Sequence, residues 1–334
     1  MNLNLIKIEK KIFYYFFIII INYFLITATV FFFSYISLLN GKIYDSFWLK
    51  SIQKKIYFEG FRNIWQFDNN CTIYDKDLLY KPKSGECEFS NPEFKTNLKF
   101  DNFKRIHKET NNNDLDEFIV VLGDSIAMGW GVNNDETFSF LLEKKLKKKV
   151  YNLGVSSYGT VREIKRLKKS PYYLNSKTII VQYHTNDLGE NKNLEIDKNY
   201  SKKKFDEIYE NQSLKKNNII FIIKAFVESL PLLFSDTGKI IFKEKKFELI
   251  DFEVESKYLE KVLEETLDTK EKRIIIIFTI HPEQKVINFP QNNDKFEYIL
   301  IQLKKSEFFI IDDHPNFFGH KAIANKLTNY LKLN

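Results

Sequence analysis

The sequence predicts an α/β fold: a parallel sheet covered by helices on both faces, preceded by a membrane-crossing segment. Three observations predict it. Short apolar runs alternate with amphipathic stretches of helical length over the C-terminal two thirds of the chain, the pattern of a helix-covered parallel sheet. Four segments that end strands or follow them carry glycine, serine, asparagine, aspartate or histidine. No charged residue occurs between Lys11 and Lys42.

Residues 1–11 form a tail with Lys7, Lys10 and Lys11. Residues 12–39, IFYYFFIIIINYFLITATVFFFSYISLL, are apolar throughout. A helix of about 20 apolar residues crosses a hydrocarbon core, so this segment reads as an uncleaved signal anchor. It is long for a signal peptide, and no small-residue cleavage motif follows it. Lysines flank both of its ends, so the charge rule barely orients it.

Residues 41–110 lack helical periodicity and are rich in aromatic and turn residues, the mark of a small irregular or β-rich cap. The two cysteines of the chain, Cys71 and Cys87, both lie here, with Pro82 and Gly85 between them to turn the chain. They read as a disulfide, which places the folded part in an oxidising compartment, on the periplasmic side of the membrane. The alternative is two unrelated buried thiols. Asn111-Asn112-Asn113-Asp114 is a polar break.

The main domain spans 115–334. Its strands are expected at 118–122, 150–153, 178–183, 273–278 and 308–311. Its helices are expected near 137–146, 161–168, 256–269, 294–304 and 318–331. Residues 190–255 form an insertion rich in Lys, Asn and Glu. Within it, 219–234 (IIFIIKAFVESLPLLF) is too short and too interrupted by Lys224, Glu228 and Pro231 to span a membrane. It reads as a helix packed on the domain, with an amphipathic lid or membrane-surface helix as the alternative.

Composition narrows the function. The chain has 334 residues, 44% hydrophobic and 16% aromatic, with a net charge of +7; it can bury a sizeable core and is not globally disordered. The lysines are spread along the chain, and no nucleic-acid-binding signature is present. Two cysteines and five scattered histidines lack zinc spacing, so no metal or other cofactor is expected.

In a parallel sheet, sites form beyond the carboxyl ends of the strands. Those ends offer Gly123-Asp124-Ser125, then Asn152-Leu153-Gly154, then His184-Thr185-Asn186-Asp187, then Asp312-Asp313-His314. A hydroxyl, a backbone donor at a glycine, a side-chain amide and an acid beside a histidine are the parts needed for acyl transfer.

These blocks resemble, in order and spacing, the SGNH/GDSL hydrolase superfamily, and the cysteine-bearing segment resembles that of its membrane-tethered members. Gly123-Asp124-Ser125 matches the first block and Gly154 the second. Asn186-Asp187 matches the third, where His184 stands in place of the usual glycine. Asp312 and His314, followed by Pro315, Asn316, Gly319 and His320, match the last. That block often reads Asp-x-x-His; here Ile311 occupies the aspartate position, so Asp312 is the expected orienter and Asp313 the fallback.

The resemblance implies a flavodoxin-like three-layer fold and a serine esterase acting on an acyl or acetyl ester of a glycan or lipid. It implies a Ser125-His314-Asp312 triad and an oxyanion hole from the N–H groups of Ser125 and Gly154 with the Asn186 amide. Asp124 and Asp187 support the loops. An O-acyltransferase acting on an envelope polysaccharide through the same residues is the first alternative, and a non-catalytic binding factor the second. His320 and His281 read as structural or loop residues, and Ser156 and Ser157 as loop hydrogen-bonders. Tyr158 and Trp130 either line a pocket or pack.

Overall fold

The computed structural model describes residues 3–107, 118–193, 202–215, 219–242, 248–269 and 271–333. The polar break at 111–114 lies outside them. The chain divides into two compact units, Met1–Arg62 with Leu214–Lys245, and Asn63–Ser213 with Lys246–Asn334.

The first unit is helical. Helix α1 (Leu3–Leu39) has 37 residues, about 55 Å at 1.5 Å per residue. Its stretch Lys10–Leu39 is long and apolar enough to cross a membrane. Side chains between Ile12 and Phe17 are exposed on every side of the helix, whereas Thr27, Phe31, Ser34 and Leu38 form a buried stripe further along. Helix α2 (Phe47–Ile56) follows and runs into one wider helical turn at Tyr57–Phe61.

The second unit begins with a 3-10 turn and two antiparallel hairpins. Strands β1 (Thr72–Asp75) and β2 (Leu79–Pro82) pair, as do β3 (Gly85–Asn91) and β4 (Phe94–Phe100). The region read as irregular or β-rich is thus helical at its start, in the first unit, and paired strand after that. A Cys71–Cys87 disulfide joins the start of one hairpin to the other, with Cα atoms 5.3 Å apart, within the range a disulfide spans.

Strand β5 (Ile119–Gly123) opens the central sheet. It leads to helices α3 (Ser125–Met128) and α4 (Phe138–Leu146), strand β6 (Val150–Asn152), helix α5 (Thr160–Lys169) and strand β7 (Thr178–Tyr183). Helices α6 (Leu188–Asn193), α7 (Lys202–Lys215) and α8 (Ile219–Phe242) occupy the insertion. Strand β8 (Glu248–Asp251), helix α9 (Phe252–Thr266) and strands β9 (Arg273–Ile280), β10 (Gln284–Asn288) and β11 (Phe296–Gln302) follow, and helix α10 (Phe317–Leu333) ends the chain.

The five strands of the sheet run in the order β11-β9-β7-β5-β6, all parallel. Successive side chains of a strand point to opposite faces, and both faces are buried. Val120, Leu122, Ile179, Val181, Ile274 and Ile276 meet α5 and α9 through Ile164, Leu167, Leu259 and Val262. Ile119, Val121, Ile180, Ile275 and Ile277 meet α4 and α10 through Phe138, Leu142, Ile323 and Leu327. The chain leaves β5 toward β6 and then crosses back to β7, so the carboxyl end of β5 lies at the switch point where such sheets bind ligands.

Two expected elements are corrected. Residues 294–304 are not a helix: Phe296–Gln302 is the edge strand β11, paired in parallel with β9 from Phe296 against Ile274 to Gln302 against Ile280. Its apolar residues fit helical spacing (Phe296, Ile299, Leu300, Leu303) about as well as strand alternation, and the ladder with β9 decides between them. Residues 308–311 are then not a strand. The edge is already taken, and this segment keeps a single antiparallel bridge, Phe308 to Pro315.

The helix foreseen at 219–234 extends to Phe242 and belongs to the first unit. Phe226 sits edge-on between Phe24 and Phe31. Lys224 pairs with Glu59 at 2.7 Å, and Lys55 bridges Glu59 and Glu228.

Candidate active site

Leu122-Gly123-Asp124 delivers Ser125 to the first turn of α3. Gly123 has φ +143°, and a Cβ there would meet Ala127 Cβ at 2.7 Å and Gln182 O at 2.8 Å; no other residue fits that corner. Asp124 caps the helix, its Oδ1 accepting from Ile126 N–H at 2.9 Å. Ser125 is thereby fixed with its own N–H left outside the helix ladder, as first-turn N–H groups are.

The last block arrives on the loop between β11 and α10. His314 Nε2 lies 2.8 Å from Ser125 Oγ, although 189 residues separate them. His314 Nδ1 donates to Asp312 Oδ1. The same oxygen accepts from His314 N–H at 3.1 Å, and Asp312 Oδ2 accepts from Trp130 Nε1 at 3.2 Å. The Asp312 side chain is fully buried. Of the two neighbouring carboxylates, it is Asp312 that contacts the imidazole, while Asp313 is exposed. With Nδ1–H committed to the carboxylate, Nε2 is left as the lone-pair nitrogen that faces Ser125 Oγ.

Trp130, left open between packing and pocket lining, is a member of this constellation. Its indole stacks on the His314 imidazole, with centroids 4.7 Å apart and planes 17° apart, while its N–H holds the acid. The glycines on either side, Gly129 and Gly131, have φ of 87° and 76°, and this backbone turns the indole inward. No periodicity in the sequence marks it; the Gly-Trp-Gly spelling is the one available signal.

The donor side is less uniform. Asn186 Nδ2 donates one hydrogen to Asp124 Oδ2 at 3.3 Å, and an amide nitrogen carries a second. His184, the departure from the family block, orders this residue: its Nδ1 lies 3.1 Å from Asn186 Oδ1. Gly154 stands against the end of α3, where a Cβ would meet Met128 N at 2.5 Å. Its N–H donates to Asn152 Oδ1 at 2.9 Å, and Asn152 Nδ2 donates in turn to Ala127 O at 2.7 Å and Ser139 Oγ at 2.9 Å. The second block thus braces α3 as well as presenting a glycine.

Asp187 is fully buried behind Asn186, and Glu163 of α5 is buried near it. Burial first, and then the neighbouring carboxylates, push both carboxyls well above their ordinary range. Neither Glu163 oxygen has a hydrogen-bond partner. A carboxyl raised on folding binds its proton more tightly when folded, so stability falls as pH climbs through that window. The advantage of Glu163→Gln over wild type is therefore expected to grow from pH 5 to pH 8, by roughly 3 °C or more in Tm. Thermal unfolding at the two pH values checks this; an advantage that does not change with pH would refute it.

The remaining candidates are structural. His320 is buried, its Nδ1 accepts from Phe138 N–H at 3.2 Å, and burial lowers its pKa to about 3. His281 packs edge-on against Phe308. Ser156 donates its N–H to Met128 Sδ, and Ser157 Oγ accepts from Gln66. Tyr158 lies in a core with Tyr80, Phe89 and Trp65, and its hydroxyl donates to Tyr80 O. Among the described residues, no group of three or more His, Cys, Asp or Glu side chains is placed to hold a metal ion.

Sequence reasoning missed Arg105. It is fully buried, and its Nη1 donates to Met128 O (2.6 Å) and Gly129 O (2.8 Å) at the end of α3, while its Nη2 donates to Val132 O (2.6 Å). Burial lowers its pKa to about 9. A lone arginine after a strand carries no signal of such partners.

No family model matches the chain, and no curated protein matches it. Several solved structures resemble it loosely. A putative lipolytic protein of the G-D-S-L family from Desulfitobacterium hafniense is 10% identical over 64% of this chain and 98% of its own, with a TM-score of 0.33. An acetyl xylan esterase from Butyrivibrio proteoclasticus is 12% identical over 65% and 64%, with a TM-score of 0.34. A family two carbohydrate esterase from Clostridium thermocellum is 11% identical over 69% and 67%, with a TM-score of 0.32. Likenesses this loose assign no function, and the geometry of the site stands apart from them.

Proposed function

We propose that this chain is a serine esterase of the SGNH/GDSL kind, tethered by α1, with its catalytic domain outside the cytoplasm. The observation that carries the reading is the unbroken line Ser125 Oγ, His314 Nε2, His314 Nδ1, Asp312 Oδ1. A serine is a weak nucleophile until an oriented base is set against it.

His314 takes the proton of Ser125 as Oγ attacks the ester carbonyl. The carbonyl oxygen becomes an oxyanion, facing the Ser125 N–H and the second Asn186 hydrogen; Gly154 N–H joins by sharing its bond to Asn152. His314 then gives its proton to the departing alcohol. Water, deprotonated by the same imidazole, releases the acid and frees the serine. Asp312 holds the tautomer and stabilises the imidazolium throughout.

The substrate is an acyl or acetyl ester on a glycan or lipid. The disulfide supports the extracytoplasmic placement, since such bonds persist in oxidising compartments. Full-length protein in detergent, treated with a fluorophosphonate and mapped, should label at Ser125 and require His314. Acetylated glycans and lipid esters then separate two products: free acid marks a hydrolase, and an acylated sugar marks a transferase. Absence of labelling on folded protein would sink both. Asn186→Ala should cost roughly 10²–10³ in kcat with little change in KM, as loss of one oxyanion donor does; a change confined to KM would remove Asn186 from that role.

A further inference from the structure

Glu93 lies in the tight turn between β3 and β4, far in sequence from the triad, yet its carboxylate grips the catalytic loop. Oε1 accepts from Ile310 N–H at 2.5 Å, and Oε2 accepts from Ile311 N–H at 2.8 Å and Asp312 N–H at 2.7 Å. Three successive backbone N–H groups closing on one anion form a nest, and the last belongs to the catalytic acid. Burial and the nearby Asp312 charge raise the Glu93 pKa. The contact therefore spends electrostatic energy to fix one loop conformation.

The rest of the hairpin points the same way. Phe94 packs on Phe309 (5.2 Å between centroids), and Phe89 packs edge-on against Trp130 (4.9 Å). Arg105, just past β4, holds the last carbonyls of the nucleophile helix. One short segment touches the acid loop, the indole behind the base, and the helix carrying the nucleophile.

We propose that the β3–β4 hairpin belongs to the catalytic apparatus and that Glu93 is a positioning residue, setting Asp312, and through it His314, against Ser125. This rests on the esterase reading above. Glu93 donates no proton and touches no substrate; it acts through the loop backbone.

The test uses full-length protein in detergent, as wild type, Glu93→Gln and Glu93→Asp. Glutamine keeps one acceptor oxygen but turns an N–H₂ toward the nest. Aspartate keeps the charge but shortens the reach. A displacement of about 1 Å at a catalytic group can cost 10²-fold, so Glu93→Gln should lose roughly 10²-fold in kcat with KM nearly unchanged. Glu93→Asp should lose less, yet remain clearly below wild type. The second readout is the downfield proton NMR resonance of the His314 Nδ1–H, assigned by its disappearance in His314→Gln. A loosened Asp312 holds that proton less closely, so both variants should move the resonance upfield of its wild-type position.

A Glu93→Asp variant identical to wild type beside a shifted Glu93→Gln would mean that only the Glu93 charge matters, and would overturn positioning. Wild-type kcat and an unmoved Nδ1–H resonance in both variants would overturn the whole proposal. If Glu93→Gln does not fold, Glu93→Asp carries the same comparison. A chain that hydrolyses no ester would sink the esterase reading, while the His314 Nδ1–H resonance would still decide whether Glu93 sets the base.

Discussion

Ser125→Ala is expected to lower turnover by roughly 10⁶-fold, and His314→Ala by about as much. The two losses should not add. Ser125 without His314 is an ordinary alcohol, and His314 without Ser125 has no proton to take, so the double variant should match either single one. At 1.36 kcal/mol per decade this is about 8 kcal/mol of barrier. The size follows from geometry: a 2.8 Å contact between Nε2 and Oγ is already within proton-transfer reach before substrate arrives. Initial rates on an activated acetyl ester, with fluorophosphonate labelling of the same preparations, measure it. If Ser125→Ala kept a tenth of the wild-type rate, the nucleophile would have to be another group.

Asp312→Asn should cost roughly 10⁴-fold in kcat while leaving the fold intact. The asparagine side chain can put an N–H₂ against Nδ1, which then becomes the acceptor. The imidazole proton moves to Nε2, where it meets Ser125 Oγ as a donor and cannot take a proton. Loop shape should survive, because Ile310, Ile311 and Asp312 are held through backbone N–H groups by Glu93. Unchanged circular dichroism with a lost rate is the expected pair of results. An equal loss in Asp313→Asn, with Asp312→Asn near wild type, would reverse the assignment.

What the sequence made legible, and what it did not, divides along physical lines. Strands β5, β6, β7 and β9 are buried on both faces, so their apolar runs stand out and end in residues that cannot continue a strand. Ser125, Asn186 and His314 were legible because each sits just after such an element or in a block of fixed spelling. Strand β11 was not: its apolar spacing suits a helix too, and pairing with β9, a contact between distant segments, decides the matter. The mistaken strand at 308–311 followed from it. Glu93 and Arg105 were invisible for another reason. Their partners are backbone N–H and C=O groups, which every residue carries, so no residue type at the far end announces the contact. Trp130 stood between, noticed as an aromatic but not as the donor to Asp312.

The stacking of Trp130 on His314 gives the chain an optical consequence. The chain has three tryptophans, and Trp130 lies flat against the His314 imidazole, 4.7 Å away. An imidazolium withdraws charge from a stacked indole and dims its emission, whereas neutral imidazole does so far less. Placing a proton on His314 should therefore darken this indole, and a Trp130→Phe background isolates its share. The protonation state of the catalytic base can in this way be read as light, without a label and during turnover.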